Sequence, residues 1–162
     1  SPTAFSLSVL NAMTGIFGIA RGDRSAASAI SSGAETLGYA LLEAYAQYAA
    51  QPDTPVLLVY ADEPADAAYG AIEDEVQGGA MAILVDETAA TGQLMCTRSD
   101  AAAASAADAK VAPAPEQASE ARQPERFASQ SQALQHCLDT GQSAVWQGVG
   151  TIWHWSWHER AA

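Results

Sequence analysis

The segment Ala29-Ile-Ser-Ser-Gly33 has the outline of a nucleophile elbow, with alanine in the first position and Ser31 at the turn. A serine on a sharp strand-to-helix turn can attack an acyl carbonyl when a histidine takes its proton and a carboxylate orients the ring. The histidines are His136, His154 and His158, all late in the chain. The order serine, acid, histidine is therefore available, and a small serine hydrolase using Ser31 is the alternative reading of this turn. A cap and a tight turn are the plainer use. His154 and His158 stand four apart, the spacing of some helical zinc sites, but the glutamate of H-E-x-x-H is missing. Trp153, Trp155 and Trp157 stand two apart, so a strand places all three on one face, for stacking on a base or sugar or for packing a core or interface. Asp62, Glu63, Asp66, Glu73, Asp74 and Glu75 lack the spacing and glycine of a calcium loop and read as a solvated surface. Nothing here calls for a metal or a cofactor.

The elements that position these residues begin with a strand-like Ala4–Leu10, in which Phe5, Leu7 and Val9 alternate with other residues. Asn11 can cap a helix over Ala12–Ala20 that puts Met13, Ile16, Phe17 and Ala20 on one face, with Gly15 and Gly18 marking close packing. Residues 25–30 read as a short strand. Ser32 and Glu35 have the S-x-x-E spacing of a capping box, opening an almost wholly apolar helix over Ala34–Ala50 whose polar stripe is Glu43 and Gln47. Gln51-Pro-Asp-Thr-Pro55 ends it, and Val56–Tyr60 is a continuous aliphatic run expected to be covered on both faces. Strand, helix and strand make a βαβ unit. A short helical or irregular piece over Tyr69–Val76 precedes a strand at Ala80–Val85, expected to form a hairpin with Gln93–Arg98. Asp100–Ser129 shifts to Ala, Pro, Ser, Glu and Gln, as a loop or linker does. A helix over Gln130–Asp139, stopped by Gly141, leads into the tryptophan-rich strand.

The 162 residues suffice for one domain, read as a core over 1–98, a linker over 99–129 and a closing helix and strand over 130–162. Nineteen acidic residues against seven basic ones give a net charge of −12, which repels nucleic-acid phosphates and anionic membranes. Apolar runs are too short to span a bilayer and Ser1-Pro-Thr3 opens no signal peptide, so a soluble, cytoplasmic protein is expected. Cys96 and Cys137 are too few for a disulfide framework and are expected to be reduced, a bridge between them being the less favoured alternative. Arg21-Gly22-Asp23 reads as a polar turn, not as an adhesion motif.

Ser1-Pro-Thr-Ala-Phe-Ser-Leu-Ser-Val-Leu-Asn-Ala-Met-Thr-Gly15, Gly22-Asp23, Ala29-Ile-Ser-Ser-Gly-Ala-Glu-Thr-Leu-Gly-Tyr-Ala-Leu-Leu-Glu-Ala44 and Pro55-Val-Leu-Leu-Val-Tyr-Ala-Asp62 resemble the β-ketoacyl synthase-like N-terminal domain. Within that family the chain is most similar to the shorter ketosynthase-like proteins of bacterial aryl-polyene and related fatty-acid-type gene clusters, which work beside an active ketosynthase as its chain-length factor. The tryptophan-rich end fits the same group. The resemblance implies an α/β fold: a partial thiolase-like, layered structure, the ketosynthase N-terminal half, with a buried central helix. It also implies a start inside the family domain, so that first elements are missing and apolar faces are left uncovered.

In active ketosynthases a cysteine at the turn before the buried helix is acylated by substrate. Laid on Leu37-Gly38-Tyr39-Ala40, the family pattern puts Ile30 at that position, with Ser31 beside it. The family's catalytic histidines lie in motifs not found here, and relatives commonly carry histidine where this chain has Leu10. The resemblance therefore implies an inactive homologue. It further implies dimerisation through residues 25–30, including Ser28, Ala29 and Ile30, with a ketosynthase subunit or a second copy as partner. An acyl carrier protein would be engaged only indirectly, and Phe5, Met13, Phe17 and Ile30 are candidates to block the acyl tunnel.

Overall fold

The strands separate into two antiparallel sheets held together by one helix. The computed structural model describes residues 1–2, 5, 9–64, 66, 68, 70, 79–101 and 125–160. In chain order they form α1 (Ala12–Arg21), α2 (Thr36–Ala50), β1 (Val56–Asp62), β2 (Gly79–Val85), β3 (Gly92–Asp100), α3 (Gln130–Thr140), β4 (Ala144–Gln147) and β5 (Thr151–Glu159). One sheet is β1–β2, and the other has the order β3–β5–β4. The expected strand over Ala4–Leu10, the Tyr69–Val76 piece and most of the Ala/Pro-rich stretch lie outside the described residues.

Three expectations about pairing are corrected. Residues 25–30 form no strand, so there is no βαβ unit, and β1 pairs with β2 as antiparallel neighbours from Val56↔Val85 to Asp62↔Gly79. The anticipated hairpin between Ala80–Val85 and Gln93–Arg98 does not form either. Gln93–Arg98 lies within β3, which pairs instead with β5, setting Cys96 opposite Trp155 and Arg98 opposite Trp153. The physical reason is the burial available: β5 brings three indoles to one face, and β3 answers with Leu94 and Cys96 on that same face. Finally, β1 is covered on one face only. Leu58 and Tyr60 pack toward the core, while Leu57 and Val59 stand more than half exposed.

The helices follow their sequence signals more closely. Gly141, at φ 68°, ends α3 in the left-handed conformation that suits glycine, and the Ser129 hydroxyl caps its start by accepting from the Gln132 N–H. α1 covers the expected span, yet none of its residues is buried. Gly18 sits 3.2 Å, as judged from a Cβ built on it, from the Asp23 carbonyl oxygen, whereas Gly15 has open space around it. α2 is buried along Leu37, Gly38, Ala40, Leu41 and Ala44, and Leu42 and Tyr45 remain exposed. It is thus a one-sided helix, not one enclosed around most of its circumference. Glu43 and Gln47 form the foreseen polar stripe, the Gln47 amide donating to the Glu43 carboxylate at 2.9 Å.

The core unites α2, α3, β4 and β5: Leu37, Leu41, Leu134 and Cys137 surround Trp146, Trp153 and Trp155, with Ala133 and Ala144 filling between them. Trp153 and Trp155 are fully buried and lie nearly parallel at 6.1 Å, while Tyr39 meets Trp153 edge-on at 5.3 Å. The tryptophans' shared face, expected from their spacing, is therefore the centre of the molecule. Gly38 lets the helix approach this closely, since a Cβ there would come within 2.6 Å of the Trp153 ring. Replacing Gly38 with alanine should push the indole aside and cost about 1–3 kcal/mol, as overpacking of a rigid site does. Urea unfolding followed by tryptophan fluorescence measures that loss, and an unchanged midpoint would contradict the contact.

Candidate functional site

The turn that leads into α2 carries Ile30 and Ser31, the two positions nominated for acyl chemistry. Ser31 is exposed, and Ile30 beside it is half-buried. Ser32, Gly33 and Thr36 shape the turn, with Gly33 at φ 56°. The expected capping box is absent. Thr36 takes over that work: its hydroxyl accepts from the Ser32 N–H at 2.8 Å and donates to the Gly33 carbonyl at 2.7 Å. A second orphan donor at the helix start, the Gly38 N–H, is satisfied by the Gln130 side-chain carbonyl of α3 at 2.8 Å.

Freed from capping, Glu35 reaches across to the tryptophan sheet. Its carboxylate accepts from the Trp153 indole N–H at 2.8 Å and from the Thr151 hydroxyl at 3.0 Å, and Arg98 approaches at 3.5 Å. Sequence spacing assigned Glu35 to a local bond, and the long-range donors that claim it were not visible there. Arg98 is over a third exposed and adds little to the pair, so the indole and hydroxyl bonds carry most of its value.

The histidines are placed elsewhere. His136 on α3 packs on the Phe127 ring at 4.9 Å with Glu125 at 4.0 Å, and His158 on β5 bonds to the Ser156 hydroxyl at 3.2 Å. None of these contacts involves Ser31, and nothing in the arrangement supports the serine-hydrolase alternative. His154 and His158 lie on a strand, not a helix, and so do not share the helical face that a zinc pair of that spacing needs. Among the described residues no group of three His, Cys, Asp or Glu side chains comes together around a common point. No helix of the described residues is long and apolar enough to cross a membrane.

Phe5, Met13 and Phe17 are exposed, Phe17 lying under the Arg21 guanidinium at 5.5 Å. Ser28 is exposed and Ala29 half-buried. Two concave spaces involve α3: a cleft of about 90 Å³ between Tyr60, Met81 and Gln135, and an open depression of about 380 Å³ at Phe127, His136 and Asp139. The first is too small for a drug-sized ligand.

The cysteines are both free thiols. Burial pushes the Cys96 thiol up to about 11, only partly opposed by the neighbouring Trp155 indole N–H. Burial also raises Cys137, opposed by the backbone at Trp157. Burial, then a bond to the Asp62 carboxylate, pushes Tyr60 up to about 12. Each of these groups keeps its proton longer in the folded state than in the unfolded one, so each contributes stability that is complete below the unfolded value and lost as pH rises through the folded one. The urea midpoint should therefore fall from about pH 9 toward pH 11, and Cys96→Ala should flatten that decline; a midpoint constant across this window would contradict the burial of these three groups. Glu35→Ala should cost about 1–3 kcal/mol by stranding the Trp153 and Thr151 donors, and Glu35→Gln less, because an amide oxygen still accepts. Chemical denaturation of the two variants side by side tests the order.

No curated protein and no solved structure matches the chain. A family model does: the β-ketoacyl synthase N-terminal domain matches residues 1–156, nearly the whole sequence. Mixed helices and small sheets around a central helix that follows the Ile30–Ser31 turn are compatible with that assignment. The chain belongs to the β-ketoacyl synthase N-terminal domain family.

Proposed function

We propose that this chain is a non-catalytic ketosynthase-like subunit that pairs with an active ketosynthase as its chain-length factor, in fatty-acid or polyketide synthesis of the aryl-polyene type. The observation that carries the reading is Ile30. On the family pattern laid over Leu37–Ala40 it falls at the nucleophile position; it is half-buried at the turn before α2, and an aliphatic side chain can neither accept an acyl group nor be activated to do so. The chain's two thiols offer no substitute. Cys96 lies on β3 and Cys137 on α3, and burial raises both thiols, which disfavours the thiolate that a condensing cysteine must supply. Glu35 adds to this: a carboxylate at the same helix end would oppose a thiolate placed at residue 30.

A subunit without its own nucleophile acts by shape. The exposed Phe5, Met13 and Phe17, with Ile30, become contributors to a tunnel wall once a partner covers them, and larger side chains there would end the growing chain sooner. The net charge of −12 matches an indirect relation to acidic carrier proteins, which the partner's basic surface would receive.

Co-expression with a ketosynthase encoded beside it, followed by size-exclusion chromatography with mass analysis, should give a stable one-to-one complex. Separate elution of the two proteins would overturn the pairing. Within the complex, Phe17→Ala should shift the products toward longer chains, and an unchanged product distribution would remove Phe17 from the tunnel. An active-site serine probe should leave Ser31 unlabelled, and labelling there would revive the hydrolase.

A further inference from the structure

The open depression of about 380 Å³ beside α3 is lined by a pattern that the helix period creates. Gln132, Gln135, His136 and Asp139 are related by steps of three and four, so they form one stripe along α3, next to the stripe of Ala133, Leu134 and Cys137 that enters the core. The other wall is the extended stretch before the helix. There the Phe127 ring leans on the His136 imidazole at 4.9 Å, with 44° between the planes, and the Glu125 carboxylate stands 4.0 Å from His136 Nε2. Arg126 is bridged to Val145, and in extended backbone neighbouring side chains point opposite ways. Its guanidinium is therefore turned away from the side that Glu125 and Phe127 share. Among the described residues neither Glu125 nor Asp139 meets a lysine or an arginine.

We propose that this depression receives an arginine side chain presented by a basic surface of a partner protein. Its floor is aromatic and its rim carries two carboxylates and the Gln135 amide. A guanidinium uses both: a π face against its own plane, and acceptors around its edge for the N–H groups. The chain makes the first half of that contact elsewhere, where the Arg21 guanidinium lies 5.5 Å from the centre of the Phe17 ring. Other ligands fit less well. An anion would face both carboxylates, and an ammonium gains the charge but not the stacking. For a metal ion, no group of three His, Cys, Asp or Glu side chains comes together among the described residues. The open shape suits a side chain arriving on another surface and not an enclosed small molecule. The net charge of −12 draws a basic partner from a distance, and the depression fixes where one of its arginines docks.

This site stands apart from the ketosynthase pairing, and the two fail separately. Nuclear magnetic resonance titration of the full chain with N-acetyl-arginine amide should move the Phe127 and His136 ring signals to saturation, with a dissociation constant on the order of 1 mM. The citrulline analogue, of the same shape but uncharged, should move neither, and N-acetyl-lysine amide should bind about threefold more weakly or worse. Asp139→Asn, at an exposed position outside the core, should weaken the arginine probe about two- to fivefold by removing one exposed charge pair. Phe127→Leu should erase the preference for arginine over lysine. Shifts that spread over the whole acidic surface without saturating would overturn the proposal, as would citrulline binding equal to arginine or an affinity indifferent to both variants. Free arginine binding far more tightly than the blocked probe would also overturn it, since the site would then serve a small molecule and not a partner's side chain. Copurification with a ketosynthase bears on the functional reading alone.

Discussion

Trp153 is the side chain on which the two halves of the molecule meet. Its ring lies against Gly38 of α2, its edge against Tyr39, its face against Trp155, and its indole N–H on the Glu35 carboxylate. One residue thus supplies apolar burial and satisfies its own polar group at the same contact, which is what a buried tryptophan requires. The rest of the core follows from that placement. α3 closes over the helix start through Gln130, and β3 joins β5 because the tryptophan face needs partners on both sides.

This arrangement concentrates stability at one end of the chain's fold. The three-stranded sheet and the starts of α2 and α3 share a dense aromatic core, while the β1–β2 pair is covered on one face and α1 on none. A structure so divided has a well-determined centre and apolar margins. Those margins carry Met13, Ile16 and Phe17 on α1 and Leu57, Val59 and Leu84 on the sheet, all exposed.

The turn before α2 carries its own electrostatics. An isoleucine stands there, a carboxylate occupies the helix end, and the two thiols lie away from it on β3 and α3, both raised by burial. That carboxylate fastens the helix to the tryptophan sheet.

Local sequence determined the elements wherever the signal itself was local. Gly141 and Ser129 bounded α3, the proline-rich loop ended α2, and the two-residue spacing of Trp153, Trp155 and Trp157 put their rings on one face, because period and capping depend on neighbours along the chain. The family was also legible, since its specific residues run through the first 62 positions. Tertiary structure alone decided which strands pair and where Glu35 points. The run Val56–Tyr60 reads the same whether one face is covered or two, and Ser32 with Glu35 reads as a capping box until Trp153, more than a hundred residues later, offers a stronger donor. Burial and long-range hydrogen bonds are properties of the packed chain, so spacing along the sequence could nominate these residues but could not choose their partners.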